Sequence, residues 1–203
     1  MAESTLAVTP GSGQLLRTNS RTVGGTAVHE QGVIIAEGNA ATYTALVKDI
    51  AISTAAAHLL MVQGDGTNYV RLRRIKINQS TLAGAGAMAY FGVYRVTTGG
   101  TGGTTINARP FDTADTNPYG GTVASAPTAK GTESDQLLHM RLGLASAQPL
   151  TNVYQTEWVA RDDNTKSIVF GSATTAGIVI KNETAVGTAK VDIEVEFVVT
   201  SYL

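Results

Sequence analysis

The chain has 203 residues, a formal net charge of −1 and no cysteine, and only 15% of its residues are charged. Without cysteine, disulfide frameworks, cysteine zinc sites and thiol nucleophiles are excluded, and a nearly neutral chain has no long-range field to attract nucleic acid or an anionic membrane. Hydrophobic residues make up 43% of the sequence, which permits the core of one β-sandwich-sized domain. No window approaches the roughly 18 apolar residues of a transmembrane helix.

Residues 1–40 are interpreted as an extended arm outside the folded domain. Glycine- and proline-containing stretches at 9–13 and 22–26 alternate with single apolar residues, a pattern typical of turns and linkers. Only Val33-Ile34-Ile35 could form a short strand. We expect the arm to gain order by lying on another surface, and an ordinary unstructured terminus is the alternative. Residues 1–13 lack the basic region and apolar run of a secretory signal.

From residue 41 onward the sequence predicts short strands separated by polar turns, and we assign residues 41–203 to one domain. No apolar stripe with a period of 3.6 residues competes with this pattern. So many short strands at close spacing imply an all-β fold, an antiparallel β-sandwich or a barrel. The candidate strands lie at 45–52, 59–63, 70–77, 90–96, 138–144, 154–159, 167–170, 177–180 and 191–197.

Two of these strands allow specific predictions about side-chain direction. In residues 70–77 the apolar positions change parity between Leu72 and Ile75, which predicts a β-bulge near Arg73 and Arg74. The strongest alternation of the chain is the one at 191–197. It predicts a core-facing and an outward-facing set: Val191, Ile193, Val195 and Phe197 against Asp192, Glu194 and Glu196.

A long loop region is predicted at about 97–135. It opens with two glycine pairs around Thr101 and offers few core-forming side chains. Loops of this length in a compact domain are usually functional, disordered or ordered by a partner. The glycine run lacks the Lys-Ser/Thr pair and the following helix of a phosphate loop. Tyr119 or Phe111 could provide an exposed aromatic ring for stacking on a sugar.

The sequence shows no recognisable catalytic, metal-binding or cofactor-binding constellation, and we predict a non-enzymatic protein without a cofactor. The three histidines are His29, His58 and His139. None has a second histidine or a carboxylate at metal-ligand spacing, so they are interpreted as surface or hydrogen-bonded side chains. The acidic residues likewise lack the ligand density of a calcium loop.

The only basic cluster of the sequence lies within residues 71–76. A nucleic-acid surface normally adds aromatic residues and an overall basic domain, which this chain lacks. The acidic strand at 191–197 is a candidate complement across a subunit interface, and a solvated strand face is the alternative. The residues predicted to contact another subunit are Arg71, Arg73, Arg74, Glu194 and Glu196.

The order of several segments resembles that of a known group of proteins. An arm with Thr22-Val23-Gly24-Gly25 precedes the strand Tyr69-Val70-Arg71-Leu72-Arg73-Arg74-Ile75. Trp158-Val159 and Gly177-Ile178-Val179-Ile180-Lys181-Asn182-Glu183 then lead to the alternating strand at Val191. Over roughly residues 65–203 this layout resembles the small β-sandwich proteins of tailed-bacteriophage structural modules.

The resemblance implies a jelly-roll-like domain, a homo-oligomer that is expected to be a trimer, and a place in the virion after assembly in the host cytoplasm. It brings no catalytic residues. The function it implies is that of a capsid cement or decoration subunit, which binds the major capsid protein or another virion protein and stabilises the head. The alternative is a tail or baseplate component that binds a host-surface glycan. Neither function requires a nucleic acid or a membrane as partner.

Overall fold

The computed structural model describes residues 18–23, 26–31, 40–116, 118–146, 154–160 and 167–200. All regular secondary structure among these residues is β-strand. A helix long and apolar enough to cross a membrane is not found in this part of the chain. The chain divides into two compact units, residues 1–39 and residues 40–203.

The first unit contains a β-hairpin. Strand β1 (Thr18–Val23) pairs antiparallel with β2 (Thr26–Gln31), with Thr18 opposite Gln31 and Val23 opposite Thr26. No strand was predicted at these positions, because their residues are mostly polar and do not alternate with apolar ones. The Gly-Gly dipeptide between the strands is a hairpin signal that was interpreted as a linker. The predicted strand at Val33-Ile34-Ile35 lies outside the described residues.

The second unit is built from two antiparallel sheets that pack face to face. Sheet I has the order β11-β5-β14-β3-β8, with β12 also paired to β5, and sheet II has the order β10-β6-β13-β4-β9-β7. The strands are β3 (Ala41–Ala51), β4 (Ala57–Gln63), β5 (Tyr69–Thr81), β6 (Ala87–Thr98), β7 (Thr104–Thr105), β8 (Arg109–Pro110), β9 (Val123–Ser125), β10 (Thr132–Leu144), β11 (Gln155–Val159), β12 (Ile168–Phe170), β13 (Gly177–Asn182) and β14 (Lys190–Thr200).

The longer strands of this unit follow a jelly-roll path. Strands β3, β4, β5 and β6 alternate between the two sheets, β10 pairs with β6 in the same sheet, and β11, β13 and β14 alternate again. The last strand, β14, returns to lie between β3 and β5. This is the connectivity of two Greek keys wrapped into a double-sheet jelly roll. The predicted all-β, jelly-roll-like antiparallel sandwich is therefore confirmed.

The core lies between the sheets, and β14 supplies its centre. Val191, Ile193, Val195 and Phe197 are fully buried, as the alternation predicted. The Phe197 ring stacks on Tyr43 at a centroid distance of 5.7 Å and meets Tyr119 edge-on at 5.0 Å. Asp192, Glu194 and Glu196 face the opposite side and are partly exposed.

The β-bulge predicted in β5 is present. Glu196 of β14 lies opposite Arg74, whereas the next residue, Phe197, lies opposite Leu72, so Arg73 is the extra residue. The backbone carbonyl of Arg73 accepts a hydrogen bond from Ala160 N at 2.7 Å. Both Leu72 and Ile75 consequently point into the core, which is the function of the inserted residue.

The region at 97–135 is more integrated into the fold than a loop. Strand β8 pairs with β3 and β9 pairs with β4, so one segment extends both sheets at the same side of the sandwich. Tyr119 is buried, and its hydroxyl donates a hydrogen bond to Gln63 O at 2.9 Å. The prediction of Tyr119 as an exposed sugar platform is wrong, because its phenol finds a buried carbonyl partner. Phe111 remains 61% exposed.

Candidate functional site

The residues predicted to contact another subunit lie on two adjacent strands of sheet I. They are Arg71, Arg73 and Arg74 on β5, and Glu194 and Glu196 on β14. In the antiparallel register Glu196 lies opposite Arg74, and Glu194 lies opposite Lys76. The acidic complement of the basic cluster is therefore already present within one copy of the chain.

Arg74 is the centre of a small ion cluster on this face. Its Nε lies 2.5 Å from Glu157 Oε1, and an Nη atom lies 3.5 Å from Glu194 Oε1. The hydrogen bond from Arg74 to Glu157 raises the pKa of the guanidinium. All three side chains are about one-third exposed, at 30%, 36% and 32%. Pairs this exposed to solvent contribute only about 0.2–1 kcal/mol each.

Glu157 was not predicted from the sequence as a member of this cluster. It lies on β11, opposite Lys76 and far from Arg74 in the sequence. The available signal was the alternation of residues 155–159, which places Glu157 on the face opposite Trp158. Arg71 has a different environment from Arg74. It pairs with Val169 and Val198, and its Nε is buried without a hydrogen-bond partner in the described part of the chain.

The outer face of sheet II is divided into an apolar and a polar part. Met61, Val96 and Val179 form a small buried cluster on it, outside the main core. Gly100 N lies 3.1 Å from Met61 Sδ, and Thr101 and Ala129 exchange two backbone hydrogen bonds above this area. The segment between β6 and β10 thus covers the apolar part, and the polar part extends over β6, β10 and β13.

Glu133, at the start of β10, anchors the first half of the polar part. Its Oε1 lies 2.6 Å from His58 Nε2, and its Oε2 accepts a hydrogen bond from Lys181 Nζ, also at 2.6 Å. An ionised carboxylate can only accept, so His58 Nε2 carries the hydrogen. Partial burial alone would raise the pKa of Glu133, but the hydrogen bonds from His58 and Lys181 outweigh it and hold the pKa below its usual range.

Glu183, directly after β13, anchors the second half. Its Oε1 accepts hydrogen bonds from Tyr94 Oη at 2.5 Å and Gln136 Nε2 at 3.2 Å, and its Oε2 lies 3.1 Å from His139 Nδ1. The hydrogen bond to Glu183 raises the pKa of Tyr94 to about 12. A Cβ atom on Gly92 would come within 2.4 Å of the Tyr94 ring and 2.6 Å of the Glu183 carboxylate. Glycine at this position therefore makes room for the carboxylate to fold over the sheet.

A cation joins the two halves into one network. Lys181 Nζ, held by Glu133, lies 4.0 Å above the ring centroid of Tyr94, which is bonded to Glu183. Cation–π contacts of partly buried groups contribute roughly 1–2 kcal/mol. His58 and His139, interpreted from the sequence as surface or hydrogen-bonded side chains, are both members of this network. Their partners could not be predicted because His58 and Glu133 lie 75 positions apart and no local pattern links them.

The network does not resemble a metal centre. No group of three or more His, Cys, Asp or Glu side chains is placed to hold a metal ion within the described ranges. His29 lies in β2, and its side chain lies outside the described part of the structure. The polar part instead consists of side chains that hydrogen-bond to one another around aromatic rings.

The Glu133 cluster predicts a specific dependence of stability on pH. The pKa of Glu133 is lower in the folded protein than in the unfolded chain. The stabilisation of the fold by the ionised carboxylate is therefore complete above the unfolded pKa of about 4.3, and it is lost as the pH falls through the folded pKa. We expect Glu133→Gln to lower the free energy of unfolding by about 1–3 kcal/mol at neutral pH. Urea unfolding should show that the difference in unfolding free energy between the wild type and Glu133→Gln becomes smaller towards pH 3. A difference that does not change with pH would contradict the stabilising role of the Glu133 charge.

Comparison of the chain with protein-family models, curated proteins and solved structures finds no match.

Proposed function

We propose that this protein is a structural virion subunit that decorates and stabilises a bacteriophage head. In this proposal the jelly-roll domain forms a homo-oligomer, expected to be a trimer, on the outer capsid lattice. The N-terminal unit, residues 1–39, reaches the major capsid protein or another virion protein. The proposal rests on the resemblance described above together with two physical properties of the chain.

The observation that carries the proposal is the division of the chain into two units. The core of the jelly roll extends from Tyr43 to Phe197 and contains inward side chains of both sheets. The first unit contains a two-stranded hairpin of mostly polar residues. Such a hairpin is at best marginally stable alone in water. It therefore needs a further surface for its stability, and a neighbouring subunit of a shell provides one.

The charge distribution also supports a role in assembly. Only 15% of residues are charged, and the cluster at Arg74 is compensated by Glu157 and Glu194 within the same sheet. A surface with few uncompensated ions is easily desolvated against another protein. When many copies attach to one shell, multivalency gives firm attachment even if the contact of each copy is weak.

The test uses particles that lack the protein. Purified shells without it should open at a lower temperature than shells to which the protein has been added back, as measured by release of packaged DNA on heating. Quantitative gel analysis of complete particles should give hundreds of copies. Unchanged heat resistance, or only a handful of copies at the tail, would overturn the proposal and favour a tail or baseplate role.

A further inference from the structure

Three planar side chains lie close together on the outer face of sheet II. Tyr90 of β6 is directly opposite Arg141 of β10, and His139 is opposite Gly92, the next position on the same face. The Tyr90 and His139 rings are 5.5 Å apart between centroids and inclined by 30°, and Arg141 Cζ lies over the Tyr90 ring at 5.8 Å from its centroid. Arg141 and His139 are exposed, while Tyr90 is half-buried. We call these three side chains the platform.

Glu183 restrains one member of the platform, His139, and the neighbouring Gln136. The Glu183 carboxylate fixes His139 through Nδ1, and it fixes Gln136 beside it through Nε2. This network restricts the rotamers of groups that would otherwise be mobile at an exposed surface. A preorganised site loses less conformational entropy when a ligand binds.

Several polar groups of the platform and of the neighbouring Gln136 remain available. Within the described residues, His139 Nε2, Gln136 Oε1 and the guanidinium donors of Arg141 have no hydrogen-bond partner. They provide both donors and an acceptor around an aromatic ring. Next to Arg141, a Cβ atom on Gly143 would meet nothing within 4 Å, and its cross-strand neighbour Met88 is 46% exposed. The surface beside the platform is therefore open and partly apolar.

This chemistry matches a sugar ring better than the other ligands of an aromatic surface. A pyranose has an apolar face of C–H groups, which packs on an aromatic ring, and a rim of hydroxyls, each of which can donate and accept. Single-stranded nucleic acid also stacks on aromatic rings, but it requires a positively charged groove along its backbone. Here the Glu183 carboxylate lies 3.1 Å from His139, and the chain has a net charge of −1.

We propose that the platform of Tyr90, His139 and Arg141 binds a pyranose unit of a glycan. The sugar ring would pack against the Tyr90 and His139 rings beside Arg141, with its hydroxyls bonded to Arg141, His139 Nε2 and Gln136. This site is on sheet II and does not involve Phe111 or the buried Tyr119. It does not depend on the N-terminal unit or on attachment to a shell, so it stands or falls separately from the proposed function.

The test measures retention of the purified full-length protein on immobilised polysaccharides: neutral dextran and laminarin, and acidic alginate and polysialic acid. The wild type should bind at least one of them, and the two groups of probes show whether a carboxylated sugar is preferred. Arg141→Ala and Tyr90→Ala should each weaken that binding tenfold or more. Phe111→Ala is the matched control, since it removes an exposed aromatic ring directly after β8, away from sheet II, and should leave binding unchanged.

Thermal unfolding of each variant separates a folding defect from a binding defect. Arg141 is exposed, so Arg141→Ala should keep the wild-type melting temperature and serves as the decisive variant if Tyr90→Ala unfolds. The proposal is overturned if the wild type binds none of the four polysaccharides at millimolar sugar concentration. It is equally overturned if Arg141→Ala binds like the wild type, if only Phe111→Ala weakens binding, or if a single-stranded oligonucleotide is bound in preference.

Discussion

Replacing Phe197 with alanine should lower the free energy of unfolding by about 3–5 kcal/mol, from lost burial and the cavity left behind. Phe197 is fully buried at the centre of sheet I, and its ring contacts those of Tyr43 and Tyr119. Neither neighbour can move freely into the space, because the Tyr43 and Tyr119 hydroxyls are hydrogen-bonded to Thr116 O and Gln63 O. Since domains of this size typically have about 5–15 kcal/mol of stability, urea unfolding should detect the change easily.

Glu194→Gln is the matched control on the same strand. Glu194 faces outward and is 32% exposed, at 3.5 Å from Arg74. Its replacement should change the stability of the isolated subunit by less than about 0.5 kcal/mol. If Glu194 also contacts a second copy, the variant should instead weaken oligomerisation, most strongly at low salt, which light scattering would show. A harmless Phe197→Ala with an unfolding Glu194→Gln would mean that the inward and outward faces of β14 are wrongly assigned.

Deleting residues 1–39 should leave the melting temperature of the jelly roll nearly unchanged but weaken attachment to the particle tenfold or more, which corresponds to about 1.4 kcal/mol. The reason is that the sandwich begins at Ala41 and its core contains residues from Tyr43 onward. Differential scanning calorimetry measures the first quantity, and co-sedimentation with shells that lack the protein measures the second.

Two outcomes of the deletion would contradict this view. A truncated protein that melts much lower would show that the N-terminal unit stabilises the sandwich itself. A truncated protein that sediments with shells as well as the full chain would remove the hairpin from the attachment site. The proposed assembly role would then have to rest on the surfaces of the jelly roll alone.

The parts of the fold that could be predicted from the sequence are those that depend on a local period. Alternation with a period of two is imposed by the pleat of a strand, so the faces of β14 could be read directly. The bulge at Arg73 was visible for the same reason, because it interrupts that period. The hairpin of β1 and β2 was missed because its mostly polar residues do not alternate with apolar ones and leave no such pattern.

The polar network on sheet II could not be predicted because its members meet only after the sheets have formed. Tyr94 and Glu183 lie 89 positions apart, and Glu133 and Lys181 lie 48 apart. Each looks like an ordinary surface residue in its own segment. Tyr119 shows the opposite error, since a tyrosine in a glycine- and proline-rich stretch looked exposed but reaches the core. Single-sequence patterns carry little information about such long-range partners.

The position of β14 has a consequence for how the protein is made. The central strand of sheet I, β14, is the last strand among the described residues. It can take its place between β3 and β5 only after residues 190–200 have been synthesised. Until then both strands have an open edge, and such edges promote association with other chains. Contacts that join such distant segments also slow folding. We expect nascent chains that stall before residue 190 to be substrates for chaperones rather than partly folded domains.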